Sequence, residues 1–270
     1  MYVPDMPPSP TIRAWRPRVA GVSEVLHAHF PEHAYPAHTH GTWTLLLVDT
    51  GTVRYDLDRH QHGALGDRVT LLPPHVAHDG RSVEATGFRK RVVYLEERVI
   101  DPELIGAAVD HPGWTDPALR GAVDRLHGAL APPGDELEAE VGLELVVDRL
   151  RQRLAGATAP ADVRRDPRLA YRLRDLLDAG VVEGVSLHVA ARALGAHPTH
   201  LVRAFGAEFG IPPHRYLTGR RLDRARRLLL SGERAADVAV EVGFHDQAHL
   251  TRHFRRLLGV TPTAYARSAQ

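Results

Sequence analysis

The first third of the chain alternates apolar and polar positions in short bursts. Between residues 23 and 95, segments such as 53–57 (Val-Arg-Tyr-Asp-Leu) are separated by turn-like stretches at 49–51 and 66–67. A period of two residues is typical of strands with one buried face, and short strands joined by turns favour antiparallel pairing. We therefore predict an antiparallel β domain in this part of the chain.

From Pro102 the apolar period lengthens to that of amphipathic helices. Residues 118–130 and 137–154 carry this period, and the intervening 131–135 (Ala-Pro-Pro-Gly-Asp) breaks it. The stretch 156–165 begins with small and polar residues, a composition typical of connections between domains. We predict two domains, 1–155 and 166–270, joined by a linker at 156–165. The fold class is α+β, with an all-α second domain.

The predicted helical domain contains an internal repeat with an offset of 49 residues. The matching pairs are Val189-Ala190 with Val238-Ala239, His200-Leu201 with His249-Leu250, Arg203 with Arg252, Phe205 with Phe254, Pro213 with Pro262 and Tyr216 with Tyr265. Two copies are too few for a solenoid, so a tandem pair of small helical units is expected.

Each repeat has the residues of a helix-turn-helix. In the first, Gly195 suits the left-handed residue that ends a helix, and Pro198 suits the first position of the next helix. In the second, Gly243 and the N-cap Asp246 take these places. The apolar residues of each second helix face the core. This predicts an exposed outer side carrying Thr199, Val202 and Arg203 in the first unit and Gln247, Thr251 and Arg252 in the second.

The charge of the chain is divided between its halves. Residues 164–270 hold 18 Arg, no Lys and 10 acidic residues, a net charge of +8, whereas residues 1–163 carry −7. A basic domain suits a polyanion, although it can also be merely well solvated. Arg, Gln and Thr side chains can read base edges in the major groove. A basic helix predicted at 217–231 would set the spacing of the two units.

About the last hundred residues resemble the AraC/XylS family of transcription regulators. The carrying motifs are 201–205 (Leu-Val-Arg-Ala-Phe), 210–213 (Gly-Ile-Pro-Pro), 221–229, 242–254 and 259–262 (Gly-Val-Thr-Pro). The resemblance implies base contacts by Thr199, Val202, Arg203, Gln247, Ala248, Thr251 and Arg252, and implies contact with RNA polymerase. The family usually has Ser as the first-unit N-cap, where this chain has His197. A weaker start of that helix is therefore expected.

Histidines are concentrated in the β region, where nine of the 18 lie within the first 78 residues. His38 and His40 are two apart, so on a strand they would share a face, and His78 follows a later predicted strand. The pattern resembles the cupin β-barrel, except that Thr44 stands where the motif has Glu. Three imidazoles suffice to hold a zinc-like divalent ion. Alternatively, they bind a ligand directly or simply line the barrel mouth.

Further expectations attach to this N-terminal region. Trp43 and Tyr94 are candidate walls of a ligand pocket, although aromatic residues on strands are more often core. The proline-rich start, Pro4 to Pro10, resembles the arm that folds over ligand in some relatives. The helix at 137–154 is a candidate homodimer contact or a cover for the barrel, and the family resemblance favours the dimer.

The leading hypothesis is a cytoplasmic, ligand-responsive regulator of transcription that binds double-stranded DNA and a small-molecule effector and requires no cofactor. One alternative is a metal-dependent cupin enzyme fused to a DNA-binding domain, against which the missing Glu argues. Another is a DNA-binding protein whose barrel only dimerises. Cysteine is absent, and no nucleophile elbow, P-loop or HExxH motif occurs. No membrane segment is predicted.

Overall fold

The computed structural model describes residues 10–31, 34–58, 60–64, 66–84, 86–131, 133–156, 166–258 and 260–267. The chain divides into two compact units. The first comprises residues 1–130 and 146–160, and the second comprises 131–145 and 161–270. The proposed arm, apart from Pro10, and the linker beyond residue 156 lie outside the described residues. Within the described part, no helix is long and apolar enough to cross a membrane.

The first unit is built on two antiparallel sheets, which agrees with the cupin-like β prediction. One sheet has the order β1-β2-β9-β4-β7-β10 and the other β3-β8-β5-β6. The strands are β1 (Thr11–Trp15), β2 (Val22–Phe30), β3 (Ala34–His38), β4 (Thr42–Thr50), β5 (Val53–Leu57), β6 (His60–Ala64), β7 (Val69–Leu72), β8 (His78–Ser82), β9 (Phe88–Glu96) and β10 (Gly113–Trp114).

A buried apolar cluster draws on strands of both sheets. Its members alternate along each strand, so they identify the inner faces; they include Ala28, Phe30, Leu46, Val48, Val53, Tyr55, Leu57, Leu72, Phe88 and Val92. By the same alternation, Thr44 on β4 and Lys90 on β9 belong to the inner face. Trp43 and Arg91 belong to the opposite one.

Helices complete the first unit. They are α1 (Ile105–Asp110), α2 (Pro117–Leu130) and the second half of α3 (Glu136–Leu154). Asp116 is 4% exposed and accepts hydrogen bonds from the backbone N–H of Leu119 and from the guanidinium groups of Arg149 and Arg153. This carboxylate therefore caps α2 and holds the end of α3 against it.

The second unit is all-helical where it is described. It contains α4 (Pro167–Ala179), α5 (Leu187–Leu194), α6 (Pro198–Phe209), α7 (Pro213–Leu230), α8 (Ala235–Glu241), α9 (Gln247–Leu258) and α10 (Pro262–Arg267). Two apolar clusters form its cores, one centred on Leu201 and Phe205 and one on Leu250 and Phe254. These residues are paired by the 49-residue repeat, so the tandem arrangement is confirmed.

Residues 131–145 pack with the helices of the second unit, although they lie within the range that the sequence assigns to the first domain. The physical reason is the burial of apolar side chains. Val141 is fully buried in the cluster of Leu201 and Phe205, and Leu137 packs against it. The remaining residues of α3 belong to the first unit.

Candidate ligand site and DNA-reading surfaces

Three histidines predicted from the sequence meet in the first unit. The ring centroids of His38 and His40 are 4.7 Å apart, those of His38 and His78 are 4.6 Å apart, and those of His40 and His78 are 5.0 Å apart. One ring nitrogen of each histidine lies within 4.8 Å of the others. Tyr94 joins the group, with its ring centroid 5.5 Å from that of His40.

Backbone carbonyls fix the tautomers of two of these histidines. His38 Nδ1 lies 2.8 Å from the carbonyl oxygen of Pro36, and His78 Nδ1 lies 3.0 Å from that of Val76. A carbonyl only accepts, so each Nδ1 carries the proton and donates it. Each Nε2 of the neutral ring then keeps a lone pair, which is the arrangement that metal-binding histidines adopt.

The environment of the cluster keeps His40 neutral. Burial, together with the neighbouring His78, His38 and Lys90, lowers the pKa of His40 to about 4. Burial also lowers the pKa of Lys90 to about 8. Lys90 is the only lysine among the 34 basic residues of the chain, and its Nζ lies 5.7 Å from the centroid of the Phe30 ring.

Sequence reasoning missed Lys90 and underrated Thr44 as residues of this interior. Thr44 is 5% exposed, and its Oγ1 has no hydrogen-bond partner among the described residues. A buried hydroxyl without a partner is costly unless a ligand or water satisfies it. The presence of a single lysine in an arginine-rich chain was the available signal for Lys90.

Trp43 takes a different position from the other predicted pocket residues. It is fully buried, its Nε1 donates to the carbonyl oxygen of Glu97, and strand alternation places it on the face opposite Thr44. The core alternative fits this placement. The structure therefore brings together His38, His40, His78 and Tyr94 but not Trp43.

The first helix-turn-helix comprises α5 and α6. Ser186 caps α5 by accepting the N–H of Val189, and Gly195 ends the helix with φ +64°. His197 Nδ1 accepts the N–H of Thr199 at 3.3 Å, so histidine caps α6 in place of the family's serine. The imidazole supplies the acceptor that a hydroxyl would otherwise provide, and the weaker start of this helix stays a prediction.

The second helix-turn-helix comprises α8 and α9. Gly243 has φ +92°, and a Cβ there would lie 2.3 Å from the carbonyl oxygen of Val182, so only glycine fits this turn. Asp246 accepts the N–H of His249 at 2.7 Å, which confirms it as the N-cap. Both predicted turns are thus present.

The outer sides of the two second helices differ in exposure. On α9, Gln247 and Ala248 are exposed, Thr251 is half-buried, and all three line one surface groove with Arg252 and Arg255. On α6, Thr199 is 8% and Val202 4% exposed. The expectation that these two side chains are exposed is wrong here: Thr199 donates its hydroxyl to Glu144 of α3, and Val202 is buried in the apolar cluster that also contains Val141.

Comparisons with known proteins place this architecture in a family. Residues 20–147 match the family described as the AraC-like ligand binding domain, and residues 190–268 match the family described as the helix-turn-helix domain. The chain belongs to the AraC/XylS family. The matched families and relatives are those of transcription regulators and not of enzymes.

The chain is similar to individual transcription regulators over part or most of its length. The virulence regulon transcriptional activator VirF of Yersinia enterocolitica is 34% identical over 93 residues, 34% of each chain. The match therefore spans about a third of that relative. The activator RhaS of Escherichia fergusonii is 25% identical over 257 residues, which cover 89% of this chain and 91% of that protein. The solved structure of the AraC-like transcriptional activator CuxR covers 80% of each chain at 16% identity, with a TM-score of 0.43.

Proposed function

We propose that this AraC-family chain is a sequence-specific, DNA-binding transcription regulator of the cytoplasm, controlled by a small molecule bound in its N-terminal barrel. The tandem pair of helix-turn-helix units carries the proposal, because the second helix of each unit follows a glycine turn, is capped at its start and carries the predicted base-contacting residues. Thr199, Val202 and Arg203 would read one stretch of major groove, and Gln247, Ala248, Thr251 and Arg252 the next.

The test of DNA reading is base preference. A duplex is selected from a random-sequence library by the full chain, and binding is followed by fluorescence anisotropy at fixed salt. Arg203→Ala and Gln247→Ala should each cost about 1–3 kcal/mol and relax preference at separate base pairs. The matched control Arg234→Ala, at an exposed site outside both reading helices, should leave preference unchanged. Equal weakening on every duplex would refute the assignment of base contacts.

The effector site is proposed at His38, His40, His78 and Tyr94, with Lys90 and Thr44 alongside. The fixed Nε2 lone pairs of His38 and His78 and the neutral His40 suit a zinc-like divalent ion. The three nitrogens lie within 4.8 Å of one another, and a bound zinc ion would hold each of them at about 2.0–2.1 Å. Such an ion would act as a Lewis acid toward an effector oxygen.

Elemental analysis of protein purified without chelator tests the metal. We expect about one divalent ion per chain, lost in His78→Ala and retained in the control His60→Ala, an exposed histidine of β6. Metal-free wild-type protein that takes up no added Zn²⁺ would contradict the metal site. It would leave direct ligand binding by the histidines as the explanation of the cluster.

The homodimer and the contact with RNA polymerase are also proposals, and they rest on family resemblance. Leu137 and Val141, two residues of the candidate dimer helix, pack within the chain's own second unit. A dimer through α3 would therefore use other residues, such as Leu145, which is 43% exposed. Sedimentation equilibrium of wild type and Leu145→Glu would show whether this helix is the contact.

A further inference from the structure

Residues 133–145, here called the acidic segment, combine strong negative charge with contacts to both predicted reading helices. The segment contains Asp135, Glu136, Glu138, Glu140 and Glu144 and no basic residue. It belongs to the same compact unit as the helix-turn-helix pair, whose region is strongly basic. Its carboxylates bind groups on both reading helices.

On α9 the segment binds a predicted base-contacting residue. Asp135 Oδ2 accepts from Arg252 Nη2 at 2.6 Å, and its Oδ1 accepts from His249 Nε2 at 2.9 Å and His253 Nε2 at 2.8 Å. Asp135 is 8% exposed. Burial works against its charge, but the bonds from His249 and His253 hold the pKa of Asp135 well below its usual range. The buried carboxylate is therefore ionised and paired.

These three residues could also be taken for a metal site, since their ligand atoms lie close together. His249 argues against this assignment. Its Nδ1 accepts the backbone N–H of His245 at 3.2 Å, so the ring proton is on Nε2, where it points at Asp135. A metal would need a lone pair on that nitrogen. The cluster is therefore a hydrogen-bonded clamp between the segment and α9.

On α6 the segment covers the reading face directly. Glu144 Oε2 accepts from Thr199 Oγ1 at 2.8 Å. Val202 is buried in the apolar cluster that contains Val141 and against which Leu137 packs. Because an α-helix with its side chains is about 10–12 Å across, α3 and a DNA duplex cannot both contact Thr199 and Val202.

Two further carboxylates of the segment, those of Glu140 and Glu138, lie beside groups of the kind that bind DNA phosphates. Glu140 accepts the backbone N–H of Leu187, the first residue of α5, and Glu138 Oε1 lies 3.8 Å from both Arg256 Nη1 and His214 Nε2. Helix N-termini and arginines are the groups that grip a DNA backbone. The carboxylates thus occupy positions of the same chemical character.

We propose that the acidic segment is an internal competitor of DNA, which in the inactive form covers the reading face of α6 and holds Arg252 on α9, and which leaves both when DNA binds. The inference rests on the proposed function and specifies its regulation. Beyond the segment, α3 continues to Arg149 and Arg153, which pair with Asp116 of the ligand-binding unit. The competitor and that unit are therefore linked by one continuous helix.

The test compares DNA affinities of full-length variants by fluorescence anisotropy at fixed salt, on the selected duplex and on a scrambled one. Asp135→Asn/Glu144→Gln should bind the selected duplex at least about ten-fold more tightly than wild type. The charge-matched control Glu183→Gln/Asp237→Asn alters two acids of the same unit that lie outside the segment. It corrects for the general gain from removing negative charge.

Hydrogen exchange of the wild-type chain provides a second measurement that does not depend on the variants folding. Adding the selected duplex should slow exchange in α6 and α9 and speed exchange in residues 136–145. If the double variant binds DNA no more tightly than the control variant, competition between the segment and DNA is refuted. It is also refuted if residues 136–145 stay protected from exchange while α6 and α9 bind DNA. If the chain binds selected and scrambled duplexes alike and α6 and α9 gain no protection, the proposed function fails, and this inference with it.

Discussion

The two helix-turn-helix units have the same local design but present different surfaces. Each has a glycine turn, a capped second helix and a leucine and phenylalanine facing the core. Yet Thr199 and Val202 of the first unit are buried, whereas Gln247 and Ala248 of the second are exposed. Local sequence thus builds the unit, and a contact with a distant segment decides whether its reading face is available.

The equivalence of the two cores gives the largest predicted effect. Phe205 and Phe254 are both fully buried at matching positions of the repeat. Phe205→Ala and Phe254→Ala should each lower the free energy of unfolding by about 3–5 kcal/mol, through lost burial and the cavity left behind. Urea denaturation measures the effect, and the exposed Leu257→Ala is the control. A large loss of unfolding free energy for one variant and a negligible loss for the other would show that the two units of the repeat are not packed alike.

Removing the N-cap of each second helix should have a smaller effect on stability, and the effect should differ between the two units. Asp246 offers a carboxylate to the N–H of His249 at 2.7 Å, whereas His197 offers an imidazole nitrogen to that of Thr199 at 3.3 Å. Asp246→Ala should lower Tm by a few degrees and His197→Ala by less, because the shorter, charge-assisted bond is the stronger. Calorimetry at pH 7 measures both. Equal decreases would mean that histidine caps as well as aspartate.

The Asp246 cap also predicts a pH dependence. The hydrogen bond from the N–H of His249 holds the pKa of Asp246 below its usual range. Its contribution is therefore complete above the unfolded carboxyl pKa of about 3.9 and is lost as the pH falls through the lower folded value. The Tm difference between wild type and Asp246→Ala should shrink on acidification. A difference that grows with acidity would contradict this sign.

The smallest effect is expected at the paired tyrosines of the repeat. Tyr216 donates its hydroxyl to Asp178 at 3.0 Å, whereas the Tyr265 hydroxyl accepts from Arg226 Nε at 3.1 Å. Tyr216→Phe should cost about 1 kcal/mol of unfolding free energy. Tyr265→Phe should cost less, because water readily solvates the exposed Arg226. Urea denaturation of both variants measures which loss of unfolding free energy is larger. A larger loss for Tyr265→Phe than for Tyr216→Phe would contradict the prediction.

Features determined by local chemistry could be predicted from the sequence. The 49-residue register placed α5, α6, α8 and α9, because a glycine turn follows the first helix of each unit and a capping residue begins the second. Helices predicted at 118–130 and 137–154 are observed as α2 and α3. The meeting of His38, His40 and His78 was also predictable, because the cupin-like pattern specifies how distant strands converge.

Features determined by distant contacts could not be predicted in this way. Strand β4 carries apolar residues on both of its faces. The alternation of apolar and polar residues therefore did not separate the outward Trp43 from the inward Thr44. Val202 is buried in a cluster that includes Val141, which lies 61 positions earlier in a range assigned to another domain. A run of acidic residues such as 135–144 does not indicate which groups it binds. Only the folded structure shows that Asp135 accepts a hydrogen bond from Arg252 and Glu144 one from Thr199.

The most direct test of the difference between the units is the thiol reactivity of two matched cysteines. The chain has no cysteine, and positions 202 and 251 are equivalent in the repeat. In the full chain without DNA, Thr251→Cys should react readily with a maleimide, because this half-buried position lines the open groove of α9. Val202→Cys should react at least about ten-fold more slowly, because Val202 is 4% exposed and lies in the apolar cluster that includes Val141. Equal, fast rates at both positions would contradict the account.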